Sequence, residues 1–316
     1  MKQFFRNWSL PITMLLGIAM YAIVHALCLP AATKGLLQKG ISIVQPALIF
    51  SMLYLSFCKI DFKQLKWAPW HGWLLLVQVG LFALLSLLLR YLPYGNTYLI
   101  IECWLACVVC PTATASVVIV EKLGGKTGSL LMYCILVNLT VAVVVPIFIP
   151  LFTTNSEFGF LDTFKGIMAQ VCPLLTIPLV MAKLTNRFLP ALKEKLANIK
   201  DLAFYLWMVA LALAMATASR AFMNTPIDTP TLLGIVMVTL ACCLLQFFIG
   251  RRIGRRFDDS ISAGQALGQK NTIFVIWLSY TFMDPICAIA GGFYSIWHNS
   301  VNSWQLYKHQ QKEERI

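Results

Sequence analysis

The chain has 316 residues, of which 59% are apolar and only 12% charged, and its 25 Lys and Arg exceed its 13 Asp and Glu. A soluble domain carries about 25% charged residues, so a water-facing surface around a protein of this size is excluded. The aromatic and aliphatic content excludes disorder, and ten Cys over this length are too sparse for a disulfide scaffold. What is left is an all-α polytopic membrane protein with the lipid bilayer as its partner. The net charge of +12 then reads as basic residues gathered on one side of the membrane. It does not read as a nucleic-acid surface, because no basic segment stands free of the apolar ones.

A bilayer-crossing helix needs about 20 apolar residues. Ten stretches qualify: 9–29, 41–58, 71–91, 97–121, 128–153, 164–184, 201–222, 230–250, 258–281 and 285–305. The first follows a basic start and imitates a signal peptide, but its length and the lack of a clear cleavage motif predict a span. Trp8, Trp67, Trp70, Trp73 and Trp304 near span ends predict an aromatic belt. Span four is interrupted near Cys110-Pro111-Thr112, and span nine is polar from Ser262 to Thr272. With the N-terminus on the cytoplasmic side, 19 of the 25 Lys and Arg fall on that side and five on the other, which leaves Lys270 inside span nine. The positive-inside rule therefore places both termini in the cytoplasm of a cell (inner) membrane protein. The pairs Arg251-Arg252 and Arg255-Arg256 are expected to face anionic headgroups.

Span starts in the two halves pair at offsets of 157–161 residues for 41 with 201, 71 with 230, 97 with 258 and 128 with 285. A repeat unit of five spans is odd, so the second copy must enter from the opposite side. This predicts two inverted repeats, residues 1–153 and 154–316, with a site where interrupted helices meet at the midplane. The interrupted spans hold the fourth place in each half. If they cross at their breaks, two half-helix N-termini face one cavity and suit an anion. Thr112 or Thr114 is expected to cap the first, and Asn271 or Thr272 the second.

At these residues the chain resembles the bile acid:sodium symporter family. Cys110-Pro111-Thr112-Ala113-Thr114-Ala115-Ser116 is similar to the C-P-G-G-T-A-S-N run of the family's broken fourth helix. Gly268-Gln269-Lys270-Asn271-Thr272 resembles the G-M-Q-N-S run of its ninth helix, and Ser295-Ile296-Trp297-His298-Asn299 the S-V-W-H-N run of its tenth. The resemblance covers about residues 9–305. It implies a panel domain of helices 1, 2, 6 and 7 and a core domain of helices 3–5 and 8–10. It also implies alternating access to an organic anion, from bile acids to small keto or hydroxy acids. Substrate contacts carried over by position are Thr112, Ala113, Thr114, Ser116, Asn271, Thr272, His298 and Asn299. For His298 and Asn299, interhelical hydrogen bonding is the alternative role.

The departures concern sodium. Where family members use a Glu and a Gln on helix nine, this chain has Ala266 and Lys270, and the Asn of helix four reads as Val117. Gln78, Asn138, Thr140 and Gln269 are what remains of a polar or ion site. Sodium requires several hard oxygen ligands, so Na+ coupling is expected to be lost, with H+ as the candidate coupling ion and no other cofactor. Lys270 offers a surrogate cation, since an ammonium can donate to the same oxygens and half-helix carbonyls. An ionisable residue at bilayer depth costs about 2.5–3.5 kcal/mol on the insertion scale and marks function by default. Three readings stay open: proton linkage through Lys270, which is favoured, a uniporter with a fixed charge, and residual sodium coupling.

Other classes compete. A metalloid efflux carrier of the arsenite-permease type would use Cys110. Cys103, Cys107 and Cys110 share one helix face, as small buried hydrophobes by default or as a soft-metal site. No paired catalytic carboxylates, G-x-S-x-G or H-E-x-x-H occur, so no enzyme is expected. Glu102 is expected either to pair with Lys270 or Arg220 or to sit at the membrane interface. Asp284, before Pro285, fits turn chemistry.

Overall fold

Apolar runs fold here almost entirely as helix, because a chain in lipid must satisfy its backbone polar groups internally. The computed structural model describes residues 9–27, 30–60, 62–153, 160–198 and 202–313. In chain order the α-helices are α1 (Ser9–Ala26), α2 (Ala31–Cys58), α3 (Trp70–Tyr91), α4 (Asn96–Val109), α5 (Ser116–Lys122), α6 (Thr127–Phe148) and α7 (Phe160–Phe188). They continue with α8 (Pro190–Asn198), α9 (Leu202–Asn224), α10 (Thr229–Gly254), α11 (Ser260–Gly268), α12 (Thr272–Phe282) and α13 (Ala288–Glu313). Among the described residues there is no strand, only an isolated bridge between Thr112 and Lys270.

Among the described residues six helices, α2, α3, α6, α7, α9 and α10, are long and apolar enough to cross a membrane, and α1, α4 and α12 carry shorter apolar runs. The fold is that of a multi-pass helical membrane protein. Its long apolar helices carry apolar side chains both inward and outward, as lipid contact requires. On α3, Leu74, Phe82, Leu85 and Leu89 face inward while Leu76, Leu84 and Leu87 are exposed.

Several boundaries move from their expected places. α2 begins at Ala31 rather than 41, because Lys34 and Lys39 ride exposed on its first turns instead of ending it. The pair α2 and α9 therefore leaves the constant offset, whereas α3 and α10, starting at Trp70 and Thr229, keep it. α7 continues through Pro173 and Pro178 to Phe188. Lys2, Arg6, Trp8, Lys200 and Arg315 lie outside the described residues.

The helices pack in two groups. α9 lies against α1 and α2, and α2 against α7. In the other group α10 packs on α11, α4 and α13, α12 on α13, and α3 on α4. The groups meet where α6 touches α7 and where α9 touches α12 and α13.

Trp70 corrects the aromatic-belt expectation. It is wholly buried, and its indole Nε1 donates to Asp259 Oδ2 at 3.0 Å. Ser129 Oγ donates to the same oxygen at 2.5 Å. Nearby, His71 accepts the Ala68 N–H at Nδ1, so its Nε2 donates to the Ser129 carbonyl at 3.0 Å. One carboxylate thus ties α3, α6 and the start of α11 together, and the indole has a polar partner, as a buried Trp needs. Trp67, Trp73 and Trp304 are exposed, consistent with a belt. Asp259→Ala strands the buried Trp70 indole donor at about 1–3 kcal/mol, while the Ser129 hydroxyl can turn to the Lys126 carbonyl 2.9 Å away, so its melting temperature in detergent falls below wild type. Asp259→Asn, which keeps an acceptor, falls less, and an unchanged Asp259→Ala melt sinks the assignment.

Candidate functional site at the paired helix breaks

The first break follows from Pro111. A residue before proline is pushed out of the helical region, and Cys110 adopts φ −54° and ψ 134°. Helix resumes only at Ser116. The second break follows Gly268, with Gln269 extended at φ −95° and ψ 102°. Helix restarts at Thr272 under an Asn271 cap, whose side chain accepts from the Phe274 N–H at 3.3 Å.

The two breaks pair with each other. Ala113 N–H donates to the Gln269 carbonyl and Asn271 N–H to the Pro111 carbonyl, both at 2.9 Å. Thr112 and Lys270 are the residues directly opposed in this antiparallel bridge, a geometry that places their side chains on one face. Each then reaches the end of the other span's first half-helix. Lys270 Nζ donates to the Val108 carbonyl of α4 at 3.3 Å, and Thr112 Oγ1 donates to the Ala266 carbonyl of α11 at 2.5 Å. Both residues are about 1% exposed. A helix C-terminus carries unsatisfied carbonyls and partial negative charge, which is where a buried ammonium is best placed.

Three further carbonyls at these ends are also taken. Gln78 Nε2 donates to Val109 and Cys110 at 3.0 and 3.1 Å, while its Oε1 accepts from Tyr133 at 3.3 Å. Tyr294 donates to Gly268 at 2.8 Å and accepts from Gln246 Nε2 at 3.1 Å. Gln246 and Tyr294 were not legible as site residues, because neither lies in a break. Asn138 and Thr140 donate to the Cys134 and Leu136 carbonyls of their own helix.

The expected contacts divide by accessibility. Ala113, Thr114, Asn271 and Asn299 are half-buried, whereas Thr112, Ser116, Thr272 and His298 are buried. Thr114 Oγ1 lies 3.0 Å from Ser56 Oγ on α2, across the two helix groups. Neither Thr112 nor Thr114 caps α5. That helix starts after Ala115 without a side-chain cap, since Thr112 is engaged with Ala266 and Thr114 with Ser56. Ser116 donates to the Ala113 carbonyl at 2.6 Å, and Asn299 to Ser295 at 2.7 Å. Gln269 Oε1 and His298 Nδ1 are buried without a partner.

Glu102 is buried in the protein and pairs with neither Lys270 nor Arg220. Its carboxyl accepts from Asp284 N–H at 3.2 Å and lies 3.5 Å from the Cys287 thiol. Asp284 follows turn chemistry, with Oδ1 accepting from Ile286 N–H at 3.0 Å, and it also accepts the Tyr94 phenol at Oδ2 at 2.6 Å. That hydrogen bond, with burial second, pushes the Tyr94 phenol up to about 12 from an ordinary 10.0. A raised value means the bond contributes fully below pH 10.0 and is lost as the pH rises toward 12. Titrating phenolate absorbance therefore shows a late tyrosine in wild type that Tyr94→Phe lacks. If the phenolate lost in Tyr94→Phe is instead one that titrates near 10.0, the bond is refuted.

Among the described residues no group of three His, Cys, Asp or Glu is arranged to hold a metal ion. The Cys110 thiol is buried and donates to the Asn271 carbonyl at 2.9 Å. No family model matches this chain, and no curated protein matches it either.

Proposed function

We propose that the chain is a secondary transporter of an organic anion working by alternating access, independent of sodium and proton-linked through Lys270. In this reading ten spans form two inverted five-span repeats in the cell (inner) membrane with both termini cytoplasmic. The panel comprises α1, α2, α7 and α9, and the core comprises α3–α6 and α10–α13. The observation that carries it is the reciprocal pinning of the breaks, with Lys270 of one span on the half-helix end of the other. Paired discontinuous helices are the usual site architecture of inverted-repeat transporters. The motif resemblance to bile acid:sodium symporters supports the same reading.

Sodium independence rests on the same carbonyls. Oxygens that would face a cation are occupied by Lys270 Nζ and by the amide nitrogen of Gln78. The half-buried Ala113, Thr114, Asn271 and Asn299 form the face offered to the anion. Metalloid efflux is disfavoured by the buried, bonded thiol of Cys110.

The test is uptake of a labelled organic-acid panel into proteoliposomes under imposed gradients. Accumulation of at least one acid driven by a pH gradient and indifferent to sodium is expected. Accumulation that requires sodium overturns the coupling, and no counterflow of any acid overturns transport.

A further inference from the structure

A second polar constellation lies outside the paired breaks. On α13, Tyr294, His298, Asn302 and Gln305 recur at intervals of four, four and three, so they share one helical face. All four are buried. Gln265 on α11 faces them, and Gln269, in the break just beyond α11, is also buried. Gln265 Nε2 donates to Asn302 Oδ1 at 2.9 Å and to Gln305 Oε1 at 3.0 Å, which fixes the two faces against each other. At the upper end Tyr294 packs edge-on to His298 and donates to Gly268. Along α13 this file runs about 16 Å at 1.5 Å per residue.

The file is incompletely satisfied. Gln265 Oε1, Gln269 Oε1, His298 Nδ1 and Asn302 Nδ2 have no hydrogen-bond partner, and every one of these residues is at most 5% exposed. Buried polar groups with no protein partner are ordinarily met by water, each molecule making about three hydrogen bonds. The chemistry selects water over a cation. Two of the unmet atoms are amide acceptors and one is an amide donor, and only a ligand that both donates and accepts serves them all.

We infer that the α11–α13 face holds a file of bound water that connects the chain end of α13 to the paired breaks and carries protons toward Lys270. The proton role rests on the transport reading above, whereas the water does not. Along the file the titratable groups are Tyr294 and His298, and the Cys243 thiol of α10 faces Tyr294. Lys270 follows Gln269 in the chain, and its titratable neighbours are Cys107, Cys110 and Cys242. Arg251 of α10 packs against Gly264 of α11, and Lys308 is exposed further along α13. Proton movement along hydrogen-bonded water makes one O–H bond for each that breaks, and at its end the last water gives up an O–H bond as the neutral Lys270 amine gains an N–H bond, so no co-reactant is needed.

Hydroxyl-radical footprinting of the purified full chain in 18O-labelled water tests the file directly. Tyr294 and His298 are expected to take up label although buried, and Gln265→Leu and Asn302→Leu to lose it. Asn302→Ser, which leaves room for water, guards against misfolding and is expected to keep the label. Absence of label in wild type overturns the water file. In proteoliposomes, Gln265→Leu is expected to keep organic-anion counterflow and lose accumulation driven by a pH gradient. Undiminished accumulation overturns the proton path. Wild type without counterflow removes the transport reading and with it the proton path, while the footprint still decides the water.

Discussion

Lys270→Ala is expected to abolish organic-anion uptake and to lower the melting temperature at the same time. The side chain is completely enclosed, and its ammonium donates to the Val108 carbonyl at the end of α4. Removing it leaves that carbonyl buried without a partner at about 1–3 kcal/mol and opens a void where three methylenes and the ammonium were packed. At about 1.4 kcal/mol per decade, the hydrogen-bond term alone lowers the equilibrium constant for correctly paired breaks by about five- to 140-fold. Lys270→Gln separates charge from packing, because an amide can still donate to Val108. It is expected to restore much of the melting temperature while uptake stays uncoupled from the pH gradient. Transport by Lys270→Gln that still follows the pH gradient shows that the ammonium is a structural pin and not the coupling group. The thermal comparison is made in detergent and the coupling comparison in liposomes, so a folding defect and a coupling defect are read separately.

Much of the helical layout was legible because its causes are local. Long apolar runs make helices in any apolar surrounding, and Pro111 and the polar Ser262–Thr272 segment marked both interruptions without knowledge of the fold. What those interruptions do to each other was not legible. Thr112 looked like a cap because Ser and Thr beside a helix start commonly cap it, yet its hydroxyl serves Ala266, which is 154 positions away. Trp70 looked like a belt residue because it begins a span, and only the approach of Asp259 from the far half of the chain draws it inward. Glu102 had two plausible partners in sequence and takes a third, the Asp284 backbone, which is 182 positions on. In each case the deciding partner is a carbonyl, amide or carboxylate brought near by tertiary packing. Spacing along the chain carries no record of such partners. The α13 file is the exception, since its intervals of four, four and three were available in the sequence. The motif around His298 and Asn299 drew the reading to substrate contact instead.

Gly250→Ala is expected to be among the most damaging single-methyl additions outside the breaks, because it acts on the helix pair that carries the second one. Gly250 and Gly254 lie four apart on α10 and face Ala263 and Gly264 of α11. Small residues at this spacing let two helix backbones approach closely, which drives helix association in lipid, where the hydrophobic effect gives no help. The space at Gly250 is bounded by backbone. An added Cβ meets the Ala263 carbonyl oxygen inside ordinary contact and the Gly264 Cα at 3.0 Å. Neither atom belongs to a side chain that can swing away, so α11 itself must move. Over-packing of this kind costs about 1–3 kcal/mol, opposed by less than about 1 kcal/mol of helix propensity gained over glycine. α11 ends at Gly268, two residues before Lys270, so displacing it also shifts the Ala266 carbonyl away from Thr112 and loosens the bridge between the breaks. The expected result is a lower melting temperature together with impaired uptake. Gly166→Ala on α7 serves as the control, since no atom lies within 4 Å of the added methyl, and it is expected to melt at or slightly above wild type. If Gly250→Ala melts with the control, α10 and α11 are not in backbone contact and the support assigned to the second break is wrong.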